Sequence, residues 1–261
     1  MSRSGRPTDD KPLPPLYAMT HGGIESTAAD EITRDLGGEV KKTSRGLVVF
    51  RLDELSDKLL SLRTTEDVFL LAWGSDSLSY KSDDLETLRN WTARKPDWEH
   101  LFKLHHKLRP KTKGKPTYHI VCQMQGEHGY RRADARAAFT EGLSGKIPRG
   151  WHYNNENAWL EIWLTIYSKT AVCGVRLSDR TMRHRTYKME HVAASQSGYV
   201  RVHRKGQTFE TSYSADGKTW EVLGSYETEW DDTLKLGVFA ENDYEAPFEL
   251  VFAEFALTLA K

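Results

Sequence analysis

The stretch GVRLSDRTMRHRTYK, residues 174–188, carries Arg176, Arg180, Arg183, Arg185 and Lys188, with Asp179 as the one opposing acid. It starts as the end of a strand. A strand end delivers the chain to a surface, where planar guanidinium groups can fork onto phosphate oxygens. Tyr187 adds a ring on which an unstacked base could lie, a contact of roughly 1–3 kcal/mol. The same residues read equally as a solvated basic linker answered by acids such as Glu190.

A second constellation is QGEHGYRR, residues 125–132. Gly126 and Gly129 bracket a turn between a strand and a helix. The helix start offers free N–H groups beside Arg131 and Arg132, which is anion-binding chemistry. A plain strand-to-helix turn is the simpler reading. SADGKTW, residues 214–220, is a turn in which Asp216 closes the loop and Trp220 packs beneath it. A sugar-stacking role for Trp220 ranks second.

Other chemistries are poorly supported. His105 and His106 are adjacent and face different sides of a helix, so they cannot share a metal. No His pair at i, i+4 encloses a Glu, and no Cys-x-x-Cys occurs. Neither Cys122 nor Cys173 begins a helix, and there is no Gly-x-Ser-x-Gly. No metal, no cofactor and no catalytic residue is expected.

The elements that must position these residues are legible as patterns. Residues 16–73 read as βαββαβ: a strand LYAMT, a helix with Ile24, Ala28, Ile32 and Leu36 on one stripe, Gly37-Gly38 as its stop, the strand GLVVF after a short one near Val40, a second helix marked by Leu55, Leu59 and Leu62, and the strand VFLLAW. That order predicts a ferredoxin-like sheet with helices on one face. Residues 82–109 read as helical up to Pro110, followed by the exposed basic loop KTKGK. TYHIVCQMQ is a strand, Ala135, Phe139 and Leu143 line a helix, and AWLEIWLTIY and TAVCGVRL are strands joined at Ser168-Lys169. Beyond residue 195 short strands follow one another with no helical period. Asp216-Gly217 marks a hairpin, and a phase shift near Ala253 marks a bulge.

Composition bounds the class. The 261 residues hold 38% hydrophobic and 28% charged side chains, a soluble mixture large enough for two domains. No apolar run could span a bilayer, and residues 1–15 read as a disordered polar lead-in without the apolar centre of a signal peptide. Two cysteines in apolar runs fit a reducing cytoplasm. The 37 basic and 37 acidic residues cancel overall but are unevenly placed. Residues 196–261 hold six basic against twelve acidic, leaving 31 against 25 in the first 195. A basic unit attracts phosphate, although a surplus of this size is also ordinary surface chemistry.

GEHGYRRADARAAFTEGL, AWLEIWLTI and GVRLSDRTMRHRTYKMEHVAAS occur in the order found in THUMP-domain RNA guanine-N2-methyltransferases, and this part of the chain resembles that family. GIESTAADEITRDLGG and LLSLRTTEDVFLLAW resemble its N-terminal ferredoxin-like domain, so the likeness covers about residues 16–195. It implies an RNA-binding platform for the acceptor end of tRNA, with Arg131, Arg132, Arg176, Arg180, Arg183, Arg185 and Lys188 facing phosphate. Single-stranded ends are read by stacking and backbone charge. The family's cofactor domain has no counterpart here: there is no Gly-x-Gly, no Asp-Pro and no Asn-Pro. Residues 199–259 instead resemble the end of the concanavalin-like β-sandwich family labelled "regulation of enolase".

The sequence therefore predicts an α+β chain: a ferredoxin-like domain at 16–80, an α/β THUMP domain at 81–195, and a small antiparallel β-sheet, a partial sandwich, at 196–261. The expected function is RNA binding, most of all tRNA, without catalysis of its own and without a membrane, a methyltransferase or other modifying enzyme acting in trans. The competing expectation is a carbohydrate- or protein-binding β-sandwich using Trp220, Tyr213 and Tyr226, with a relic N-terminal half.

Overall fold

Ala28 and Ile32 are fully buried on one stripe of α1, Glu25–Leu36. Gly37 ends the helix with φ at +65°, a left-handed conformation that a side chain disfavours. Its N–H and that of Gly38 return to the carbonyls of Thr33 and Ile32. Around α1 run β1 (Leu16–Met19), β2 (Glu39–Ser44), β3 (Leu47–Arg51) and β4 (Asp67–Ser75), hydrogen-bonded in the order β2-β3-β1-β4, all antiparallel. A computed structural model of the chain describes residues 11–110, 113–179, 182 and 198–227. The chain divides into two units, residues 1–185 and 186–261.

Two helical expectations are corrected. Leu55, Leu59 and Leu62 do not mark an α-helix; only Asp57–Ser61 turns, as a 3-10 helix. The buried Glu31 of α1 accepts the N–H groups of Arg63 and Thr64 at 2.7 and 2.9 Å, so that backbone is committed as a loop. The helical stretch at 82–109 is two helices, α2 (Asp83–Arg94) and α3 (Trp98–Leu108). Pro96 has no N–H to continue the ladder. The Thr92 carbonyl it would have reached accepts the Trp98 indole N–H at 2.9 Å instead. Asp97 caps α3 by accepting the His100 N–H at 3.1 Å.

The sheet continues. β5 (Thr117–Gln125) leads to α4 (Arg132–Gly142), then β6 (His152–Tyr153), β7 (Leu160–Tyr167) and β8 (Thr170–Arg176). β5 is parallel to β6 and β7, and β7 and β8 form a hairpin at Ser168-Lys169. β8 pairs antiparallel with β4, so the result is one mixed sheet, β2-β3-β1-β4-β8-β7-β5-β6, crossing the boundary expected near residue 80. All four helices contribute to the main core on one face of it. On the other face Tyr17 stacks on Phe69 at 4.5 Å, and Phe69 meets the edge of Trp163 at 5.6 Å. Gly174 makes that possible. A Cβ there would lie 2.6 Å from the Tyr17 ring and 2.5 Å from the Leu70 carbonyl.

The second unit shows three antiparallel strands, β9 (Tyr199–Lys205), β10 (Thr208–Ser214) and β11 (Glu221–Glu227), in the order β11-β10-β9. The Asp216-Gly217 hairpin lies between β10 and β11. The Asp216 carboxylate accepts the N–H groups of Thr219 and Lys218 at 2.8 Å each and the Ser214 hydroxyl at 2.9 Å. Those hydrogen bonds, the Thr219 one foremost, hold its carboxyl down at about 2. The strands and bulge expected within 234–260 lie outside the described residues.

Two outcomes follow. Gly174→Ala forces Tyr17 or β4 to move and lowers unfolding stability by about 1–3 kcal/mol in urea titration. The depressed Asp216 carboxyl stabilises the fold fully above its ordinary value of 3.8. That contribution is lost as pH falls through about 2. The gap in urea midpoint between wild type and Asp216→Asn therefore narrows from about pH 5 downward.

Candidate nucleic-acid interface

α4 forms because Ala135 and Phe139 recur at i, i+4 and are fully buried, while Arg132 and Arg136 face outward. Its end is fixed by Gly142, where a Cβ would fall 2.7 Å from the Arg89 carbonyl and 2.8 Å from Thr92 on α2. Its start is fixed by the 126–131 turn. Gly126 has φ at +99°, and the Gly129 N–H donates to the Tyr80 carbonyl at 2.6 Å. The Arg131 N–H donates to Asp134 at 2.9 Å. A carboxylate of the chain itself thus sits at the helix start where an outside anion was expected, and the guanidinium groups are what remains for one.

Arg131, Arg132 and Arg136 are exposed along α4 and make no ion pair with a described residue. With Thr140, Glu141 and Ser144 they line an open depression along the outer face of α4. Arg136 donates to the Tyr153 hydroxyl at 2.7 Å. Tyr153 is 49% exposed at the sheet edge on β6, 5.7 Å from Tyr118 and 5.5 Å from His119. Burial keeps the His119 pKa low. The arrangement is a row of forked donors beside an exposed ring, which can hold phosphates and take a base face together. Sequence reading found Arg131 and Arg132 and missed Arg136 and Tyr153. Arg136 follows Arg132 at i+4, so their shared helix face was readable. β6 is two residues long and left no pattern.

Arg176 is elsewhere. It is 7% exposed at the end of β8, donating to Asp67 of β4 at 2.6 Å and to Glu161 of β7 at 2.8 Å. Ser178 hydrogen-bonds the same Asp67 oxygen at 2.7 Å, and the guanidinium lies 5.5 Å from the Trp163 ring centre. This corrects the expectation that Arg176 faces phosphate: the buried Asp67 and the part-buried Glu161 already neutralise it, and it clamps three strands. Asp179, the lone acid of the opening stretch, pairs with Arg109 at 2.7 Å. Arg180, Arg183, Arg185, Tyr187 and Lys188 lie outside the described residues.

Burial pushes the Cys122 thiol up to about 11 and the Cys173 thiol well up, so both stay protonated core groups. Among the described residues no three potential metal ligands gather, and no helix is long and apolar enough to cross a membrane. In the second unit the Arg201 guanidinium lies 4.2 Å from the centre of the Trp220 ring, covering a face that a sugar would need.

No protein-family model and no curated protein matches the sequence. Solved structures overlap it in part. TrmN from Thermus thermophilus aligns at TM-score 0.48 and 20% identity, over 64% of this chain and 46% of that one. A predicted N6-adenine-specific DNA methylase from Listeria monocytogenes gives 0.41 and 15%, over 62% and 40%. A 4-thiouridine synthetase in complex with RNA and ATP gives 0.41 and 12%, over 62% and 41%. This chain spans less than half the length of each.

Removing a cation from each place separates their roles. Arg176→Met strands the buried Asp67 carboxylate and costs about 3–5 kcal/mol in chemical unfolding. Arg132→Ala, on the exposed face of α4, changes stability by less than about 0.5 kcal/mol.

Proposed function

We propose that this chain binds RNA, most of all the acceptor end of tRNA, through its first unit, as the gripping part of a modifying system whose chemistry is supplied by a separate enzyme. The reading takes residues 16–80 as a ferredoxin-like domain, in keeping with the strand order β2-β3-β1-β4, and 81–195 as a THUMP domain built on β5, α4, β7 and β8. The observation that carries it is the row of Arg131, Arg132 and Arg136 with Tyr153 beside it. These charges have no acidic partner among the described residues, and a polyanion supplies one. An exposed ring next to them favours a strand with open base faces over a smooth duplex.

On this reading Arg180, Arg183, Arg185, Tyr187 and Lys188 extend the phosphate track, and the setting is the cytoplasm. No cofactor has a role in the binding step. The β-rich second unit is a separate module, related to a concanavalin-like sandwich, that does not take part in gripping RNA.

Titration of tRNA against the full chain at several salt concentrations tests the reading. Affinity falls steeply with salt, because each neutralised phosphate releases counterions. The double variant Arg132→Ala/Arg136→Ala weakens binding about tenfold and flattens the salt slope by about one to two. Weak, salt-independent binding by the wild type would overturn it.

A further inference from the structure

His106 packs against two indoles beside the start of β5. Its ring stacks on Trp159 at 4.3 Å and 12°, and stands 5.5 Å from Trp151; the two indoles are 5.4 Å apart. All three rings are part-exposed, whereas Phe102, 5.8 Å from Trp151, is buried and already closes the core beneath them. The His106 Nε2 has no hydrogen-bond partner.

The rings are held in place by backbone. The Trp159 indole N–H donates to the Arg109 carbonyl at 3.1 Å, and its main-chain N–H donates to the Thr117 hydroxyl at 3.1 Å. The residue after Trp151 donates its N–H to the Pro116 carbonyl at 2.9 Å. The backbone at both tryptophans is therefore tied to Pro116–Thr117, the end of the loop that carries Lys113 and Lys115. Those lysines are exposed and make no ion pair with a described residue. From residue 100 to residue 126 the chain has six Lys or Arg and no Asp or Glu. Burial lowers the His106 pKa, so the stack is uncharged at neutral pH and the positive field comes from the lysines around it.

We propose that Trp151, His106 and Trp159 form a stacking platform for an unpaired nucleobase, with Lys113 and Lys115 holding the phosphates on either side of it. This rests on the RNA-binding reading above and adds a second point of contact, reached from the Arg136–Tyr153 pair along β6 and the start of β5. Rings fixed before binding lose little freedom when a base settles on them. Stacking is indifferent to base identity, so the platform recognises single-strandedness rather than sequence.

The test compares a ten-nucleotide oligoadenylate with an abasic sugar-phosphate ten-mer of equal charge. The wild type prefers the oligoadenylate by about tenfold or more. Trp159→Leu, and more mildly Trp159→Phe, lowers that preference with little change in affinity for the abasic strand. Lys113→Ala/Lys115→Ala weakens both ligands by the same factor and keeps the preference. Equal binding of the two ligands by the wild type overturns the platform while leaving RNA-backbone binding intact. Retention of the full preference in Trp159→Leu also overturns it. Binding of neither ligand overturns the platform and the RNA-binding reading together.

Discussion

The antiparallel pairing of β4 with β8 is the constraint on which the first unit depends. β4 is the last of the four N-terminal strands, and β8 is the last strand of the α/β half. Joining them turns two small sheets into one of eight strands, with one continuous core under four helices. Two features fix the join. Gly174 leaves room for the Tyr17 ring to lie across β8, and Arg176 bonds Asp67 of β4 and Glu161 of β7 at its far end. An interior ion pair contributes little net stability against an apolar replacement, but an unpaired partner is costly. The triad therefore acts against wrong registers: a slip of one residue on β8 would turn Arg176 to the other face and leave the buried Asp67 stranded.

From that fixed sheet the two surface arrangements follow. The parallel β5 and β7 place α4 outside them, and the turn at Gly126 and Gly129 sets where its arginines begin. The other end of the same strands collects Trp151, Trp159 and His106 beside a loop of lysines. Basic and aromatic groups thus run from that turn along α4 to Tyr153 and the indoles beside the start of β5. The second unit differs in kind. Asp216 organises a tight hairpin, and Arg201 covers the indole of Trp220, both of them structural uses of residues that could have been binding groups.

Much of this was legible in the residues, for reasons that also explain what was not. α1 and α4 showed because their apolar residues recur at helical spacing over three turns, and Gly37 and Asp216-Gly217 showed because few residues tolerate those conformations. The break between α2 and α3 was written in Pro96, but the apolar positions on either side stayed in phase and masked it. The short turn at Asp57–Ser61 depends on Glu31, more than 20 positions away, which no local pattern reveals. Arg176 misled for the same reason. It ends an apolar run and begins a basic one, and its partners are 109 and 15 positions distant. Tyr153 and the tryptophan platform sit on or beside a two-residue strand, below the length at which alternation can be seen.

Crosslinking of the 261-residue chain to tRNA, followed by mapping of the linked peptides, tests the central claim most directly. The account predicts adducts in the peptides containing Arg131 to Arg136 and Tyr153, and none in the strands from Tyr199 to Glu227. Adducts confined to those later strands, or no adduct above a polyanion control, would contradict it.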